Sequence, residues 1–122
     1  MAYSQILDLT NEINNSASNT VFIDTGSFTS IIGQVVSNTS SVSVSTSNDG
    51  GGVDGVIDNN SISAINFRNC NGIDLSSNDP TTNLTDTISN QKLVKFNNYG
   101  KYLQFSATGA VDKLLLNCIQ IY

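Results

Sequence analysis

Between Ser41 and Ser47 the chain reads SVSVSTS, with apolar and hydroxyl residues in alternation. A period of two sends successive side chains to opposite faces, the pattern of a half-buried strand. Val42 and Val44 then face inward, while Ser41, Ser43 and Ser45 face water or another subunit. Comparable runs recur along the chain. TVFIDTGSFTSIIGQVVSN divides at Thr25-Gly26-Ser27 into strands over 20–24 and 28–36. SISAINFRN (61–69) predicts a further strand, with either Ile62 and Ala64 or Ile65 and Phe67 inward. KLVKFNNYGKYLQFSAT predicts two strands joined as a hairpin at Asn97-Asn98-Tyr99-Gly100, and DKLLLNCIQIY a longer apolar strand that closes the chain.

The ends of this pattern are less regular. Residues 1–19 are polar, with isolated anchors at Tyr3, Ile6, Leu7, Leu9 and Ile13. Their spacing admits a short helix over 4–13 capped by Ser4. The Asn and Thr between them favour an extended N-terminal arm or an edge strand. The single proline, Pro80, lies in SSNDPTTNLTDTISN, which predicts a polar loop from about 76 to 90. Short strands between turn clusters, with no long amphipathic helix, predict an all-β fold: one antiparallel β-sandwich or jelly roll over 20–122, preceded by the 1–19 arm.

Composition supports this reading. The chain has 122 residues, enough for one core without covalent staples. Charged residues make up 12%, about half the usual share, and Ser, Thr and Asn take their place. These short polar side chains compete for backbone hydrogen bonds and disfavour helix interiors. The net charge of −5 and a pI near 4.1 argue against a nucleic-acid partner, which needs clustered Lys and Arg. Arg68, Lys92, Lys95, Lys101 and Lys113 are scattered instead. The longest apolar run, Leu114-Leu115-Leu116, is far too short to span a membrane as a helix. MAYSQILDLTNEINN has neither a basic n-region nor a long apolar h-region, so no secretory signal is expected there.

Candidate chemistry is sparse. Cys70 and Cys118 are either a disulfide, a pair of metal ligands or two buried thiols; with no histidine in the chain, buried thiols are expected. The glycines after Asn48-Asp49 lack the helix and the lysine of a phosphate loop, and the acidic VDGVIDNN that follows would repel an anion. Asp49, Asp54 and Asp58, with Asn48, Asn59 and Asn60, offer oxygen ligands for calcium. Their spacing fits neither the helix–loop–helix calcium site nor the nonapeptide repeat, so turn chemistry is expected and no metal or cofactor. No serine sits in a nucleophile elbow, no histidine can act as a base, and the acids lie in turn-like contexts. The expectation is a protein that is not an enzyme. For carbohydrate binding, Tyr99 at the expected hairpin tip is the one aromatic with an evident route to the surface.

The motifs Asp24-Thr25-Gly26, Ser47-Asn48-Asp49-Gly50-Gly51, Phe96-Asn97 and Gly100-Lys101-Tyr102-Leu103, in this order, resemble a recurrent virion domain of tailed phages. The resemblance runs over roughly 20–52 and 91–121. It departs after the glycines, where GVDGVIDNN replaces the usual aromatic. That family is a β-sandwich of capsid decoration (cement) proteins and of head or tail fibres. It implies a structural protein on the capsid surface, assembled in the host cytoplasm, with the major capsid protein and copies of itself, such as a trimer, as partners. A carbohydrate- or receptor-binding module of a tail is the alternative. Ile6, Leu7, Leu9 and Ile13 on the arm, which can add to a neighbour's sheet, and Tyr99 are the candidate partner-binding residues.

Overall fold

The computed structural model describes residues 2–49, 66–76 and 84–121. The fold is an antiparallel β-sandwich. One sheet has six strands: β1 (Ala2–Asp8), β11 (Lys113–Ile121), β3 (Ser30–Val36), β9 (Leu93–Phe96), β6 (Gly72–Asp74) and β7 (Leu84–Thr85), in that spatial order. The other has β2 (Thr20–Asp24), β10 (Tyr102–Ala107), β4 (Val42–Ser47) and β5 (Arg68–Asn69), with β8 (Thr87–Ile88) also paired to β4 beside β5. A short helix α1 (Thr10–Asn15) follows β1 and packs against β2, β10 and β11.

Alternation places the core. On β11, Leu114, Leu116 and Cys118 are fully buried, while on β3 it is Ile31 and Val35. From the opposite sheet Val42, Val44, Leu103 and Phe105 meet them, all without exposed surface. β10 lies between β2 and β4, pairing Phe105 with Val21 on one side and Val44 on the other. The expected inward pair of SVSVSTS is therefore the observed one.

Several details differ from what the sequence predicts. The strand expected over 28–36 starts at Ser30, because Phe28 and Thr29 belong to a connection that crosses between the sheets: β2 and β3 lie in opposite layers. The same holds at Asn97–Gly100, which is no hairpin turn. β9 pairs with β3 and β6, and β10 with β2 and β4, so the chain passes from one sheet to the other there. The end of the expected 76–90 loop is part of the fold: β7 and β8 pair with β6 and β4, and Ile88 is completely buried. Residues 2–8 do form an edge strand, one of the two forms expected there, but in the domain's own sheet, and a short helix follows at Thr10–Asn15. Most of the strand expected over 61–69 and the first part of the 76–90 loop lie outside the described residues.

Ile88 also ties the layers together. Its backbone pairs with Val42 in the five-stranded sheet, yet its Cδ1 lies 2.5 Å from where a Cβ on Gly33 of β3 would stand. The space left by that glycine is filled by this side chain. Ile88→Ala is expected to destabilise the protein by about 2–5 kcal/mol through loss of burial and the cavity left behind. Leu84→Ala, at a residue 62% exposed, should change stability by no more than about 0.5 kcal/mol. Urea unfolding of the two variants checks this.

Candidate functional site

The motifs Asp24-Thr25-Gly26, Ser47-Asn48-Asp49 and Gly100-Lys101-Tyr102 are distant in sequence but meet at one corner, where β2, β4 and β10 end or begin. Thr25 donates its amide to the Lys101 carbonyl at 2.8 Å, and its hydroxyl reaches the carbonyls of Gly100 and Lys101. The Thr46 hydroxyl accepts from the Gly100 amide at 2.7 Å and donates to the Tyr102 carbonyl at 3.0 Å. Asn48 Oδ1 accepts from the Lys101 amide. Asp24 caps its own turn through the amide of Gly26, whose φ is +52°, and its other oxygen meets Lys101 Nζ at 3.4 Å. A Cβ on Gly100 would stand 2.5 Å from Asn48 Oδ1 and 3.0 Å from the Ser47 backbone. The corner spends these polar groups on itself, so its chemistry is that of a joint between strands. Asp54 and Asp58, weighed with Asp49 as calcium ligands, lie outside the described residues.

Tyr99 is not at a hairpin tip. It is half-buried beside the core, and its hydroxyl donates to the Phe28 carbonyl at 2.7 Å, linking the two crossings between sheets. Burial, and then the thiols of Cys118 and Cys70, push its hydroxyl up to about 12. The two cysteines are free and buried, and burial pushes each thiol up to about 11. Neutral thiols in apolar surroundings are poor nucleophiles and metal ligands. Of the arm residues, Ile13 is wholly buried in the core, and Leu7 and Leu9 are half-buried against it. Ile6 points the other way and is 63% exposed.

Ile6 leads to the feature that the sequence reading missed. It stands on the outer face of the six-stranded sheet, above a shallow groove of about 280 Å³ formed with Leu115, Ile32, Leu93 and Leu75. Gln34 and Asn117 are the polar members of its lining, and among the described residues no charged side chain lines it. Asn117 Oδ1 is buried there without a hydrogen-bond partner. Among the described residues every exposed large apolar side chain belongs to this sheet or the residue just after β6: Tyr3, Ile6, Val36, Leu75, Leu84, Leu93 and Ile121. All but Tyr3 fall in the outward phase of the alternation.

The outer face of the five-stranded sheet is different. It carries Ser43, Ser45, Gln104, Ser106 and Thr20, with hydroxyls bonded across strands, as from Ser43 to the Ser106 carbonyl. Its Phe22 is met by Phe67 with ring centroids 5.7 Å apart. The signal for the contrast was present in the sequence. β11 (KLLLNCIQI) and β3 (SIIGQVV) are apolar in both phases, whereas β4 (VSVSTS) is apolar in one. Strands that read apolar in both phases are the kind found covered on both faces.

One buried carboxylate fixes the rim of this sheet. Asp74 on β6 accepts from the Ser76 hydroxyl at 2.6 Å and from its amide at 2.9 Å, and meets Lys92 Nζ at 3.2 Å. The Ser76 hydroxyl first, then its amide, hold the carboxyl below its usual range against the opposing effect of desolvation; Lys92 adds to the lowering.

No family model and no curated protein matches the chain. Among solved structures, the crystal structure of the SPBc2 prophage-derived protein YomS is similar, with a TM-score of 0.57 at 11% sequence identity, covering 98% of this chain and 93% of that one. At this identity the likeness is one of fold.

Two outcomes follow from the geometry. Tyr99→Phe is expected to cost about 1 kcal/mol of stability, the worth of one buried hydrogen bond; an unchanged urea midpoint would mean that the phenol serves no structural purpose. The lowered carboxyl of Asp74 supports the folded state above its unfolded pKa, and that support is lost as the pH falls through the lower, folded value. Asp74→Asn should therefore be less stable than the wild type at about pH 6 and should lose less stability on going to about pH 3, as read by urea unfolding at both pH values.

Proposed function

We propose that this chain is a non-enzymatic structural protein of a tailed-phage particle, a capsid decoration protein that seats the outer face of its six-stranded sheet on the major capsid protein. The observation that carries this reading is that, among the described residues, exposed aliphatic side chains gather on one sheet, around the Ile6–Leu93 groove. A contiguous apolar patch on a folded domain marks a surface that another molecule covers. YomS, which shares the fold, is prophage-derived, and the corner motifs resemble those of virion domains. Both lean the same way.

The two faces suit such a role differently. An apolar face gains by leaving water, at roughly 25 cal/mol per Å² removed. The outer face of the five-stranded sheet presents hydroxyl and amide groups instead, among them the exposed Ser43, without a dense field of charge. A net charge of −5 limits unwanted contact between like surfaces.

Quantitative mass spectrometry of purified particles of the encoding phage tests the proposal. Wild type should be present in on the order of hundreds of copies, as shell symmetry demands of a decoration protein. Leu93→Glu should keep the circular dichroism of the wild type and fall at least about tenfold in occupancy, equivalent to about 1.4 kcal/mol or more. Absence from particles, or a Leu93→Glu occupancy equal to wild type, would overturn it. A dozen copies or fewer, together with specific binding on a glycan array, would turn the assignment to a receptor-binding module of the tail.

A further inference from the structure

We propose that the free edge of β1 is a docking site for a second copy of this chain, which adds its own β1 antiparallel and continues the six-stranded sheet. The proposal concerns the isolated chain in solution and stands apart from the virion reading.

The argument starts from which backbone groups face outward. Leu9 donates its amide to the Leu114 carbonyl at 2.9 Å, in the register that pairs β1 with β11. In an antiparallel ladder, hydrogen-bonded and non-bonded pairs alternate. Tyr3, Gln5 and Leu7 therefore bond to β11, and the amides and carbonyls of Ala2, Ser4, Ile6 and Asp8 point to the free edge. β1 is the last strand on its side of the sheet, and no described residue pairs with that edge. Seven residues run in unbroken register, with no bulge.

Such an edge is ordinarily blunted by a lysine, a proline, a bulge or brevity. β1 has none of these. The edges at the far ends of the two sheets, β5 and β7, are two residues each, and β2 is five residues long and packs against α1. Among the described residues β1, with seven residues, is thus the longest free edge.

The occupant follows from self-complementarity and charge. An antiparallel pairing centred on Gln5 overlaps both β1 strands in full and sets Ser4 opposite Ile6 of the second copy, so outward-pointing groups meet outward-pointing groups. It also sets Tyr3, 48% exposed, opposite Leu7 of the second copy. On a chain of net charge −5, two copies repel over most of their surface. β1 carries one charge, Asp8 at its end. The two-fold arrangement holds the two Asp8 carboxylates roughly 20 Å apart, beyond the ~8 Å screening length of physiological salt.

Sedimentation equilibrium of the full chain, with amide hydrogen exchange followed by NMR, decides the matter. A monomer–dimer equilibrium is expected below about 100 µM, equivalent to a dimerisation energy of about 5 kcal/mol or more. The Ser4 and Ile6 amides should gain protection on dimerisation, whereas those of Tyr3, Gln5 and Leu7 should be protected in monomer and dimer alike. Ser4→Pro removes an outward amide without touching the bonds to β11 or the groove, and should weaken association at least about tenfold. If Ser4→Pro alters the circular dichroism, Ser4→Lys, which places a charge on the edge, carries the same expectation. Leu93→Glu should dimerise as wild type does. A monomer at all concentrations, a trimer, or a dimer without new protection at Ser4 and Ile6 would overturn the proposal; so would an unweakened dimer in a folded Ser4 variant.

Discussion

The row Leu114, Leu116 and Cys118 on β11 is the constraint on which the molecule depends. β11 is paired on both sides, with β1 and with β3, so its phase sets the phase of both neighbours. A slip of one residue would turn that row to solvent and bring the Asn117 amide into the core, exposing apolar surface and burying polar groups together. Correct phase places Gly33 opposite Leu116, where the missing side chain leaves room for Ile88 from the other sheet. The same phase sends Leu115 and Ile119 outward. The core and the apolar outer face are thus two consequences of one register.

The corner at Thr25, Asn48 and Gly100 answers a different demand. A sandwich whose chain crosses repeatedly between layers must bury the turning backbone somewhere, and every amide and carbonyl there needs a partner. Thr25, Thr46 and Asn48 supply side-chain partners for that backbone, and Gly100 allows the strands to approach closely. Short motifs of this kind solve an architectural problem. They carry the fold and leave the choice of partner to other surfaces.

That distinction explains what could be read from the sequence. Strands over 20–24 and 42–47 were legible because turns bound both and a one-sided alternation marks the second. The crossing at 97–100 was not, since Asn-Asn-Tyr-Gly is good turn chemistry whether the next strand returns to the same sheet or enters the other. Val94 and Phe96, and then Leu103 and Phe105, alternate equally well; only long-range pairing assigns them to opposite layers. Ile88 is one apolar residue in a polar run, and its burial depends on a glycine far away in sequence. Ile13 looks like an isolated anchor in the sequence because a six-residue helix gives too little periodicity to reveal its buried face. The groove was legible in principle, from strands apolar in both phases, but a doubly apolar strand reads equally as one buried on both sides within its own fold.

The apolar face and the β1 edge belong to one sheet but point in perpendicular directions. Strand addition proceeds in the plane of the sheet through main-chain groups, and contact with the groove proceeds along its normal through side chains. Neither uses the groups the other needs: Ser4 is outside the groove lining, and Leu93 lies well away from the edge, separated from β1 by β3 and β11. Ile6 alone serves both, presenting its amide to the edge and its side chain to the groove. A sheet built this way can be extended and covered at once. The five-stranded sheet has hydroxyls bonded across its strands and a joint of Thr25, Thr46 and Asn48 at one end, and among its described residues it carries no exposed large apolar side chain.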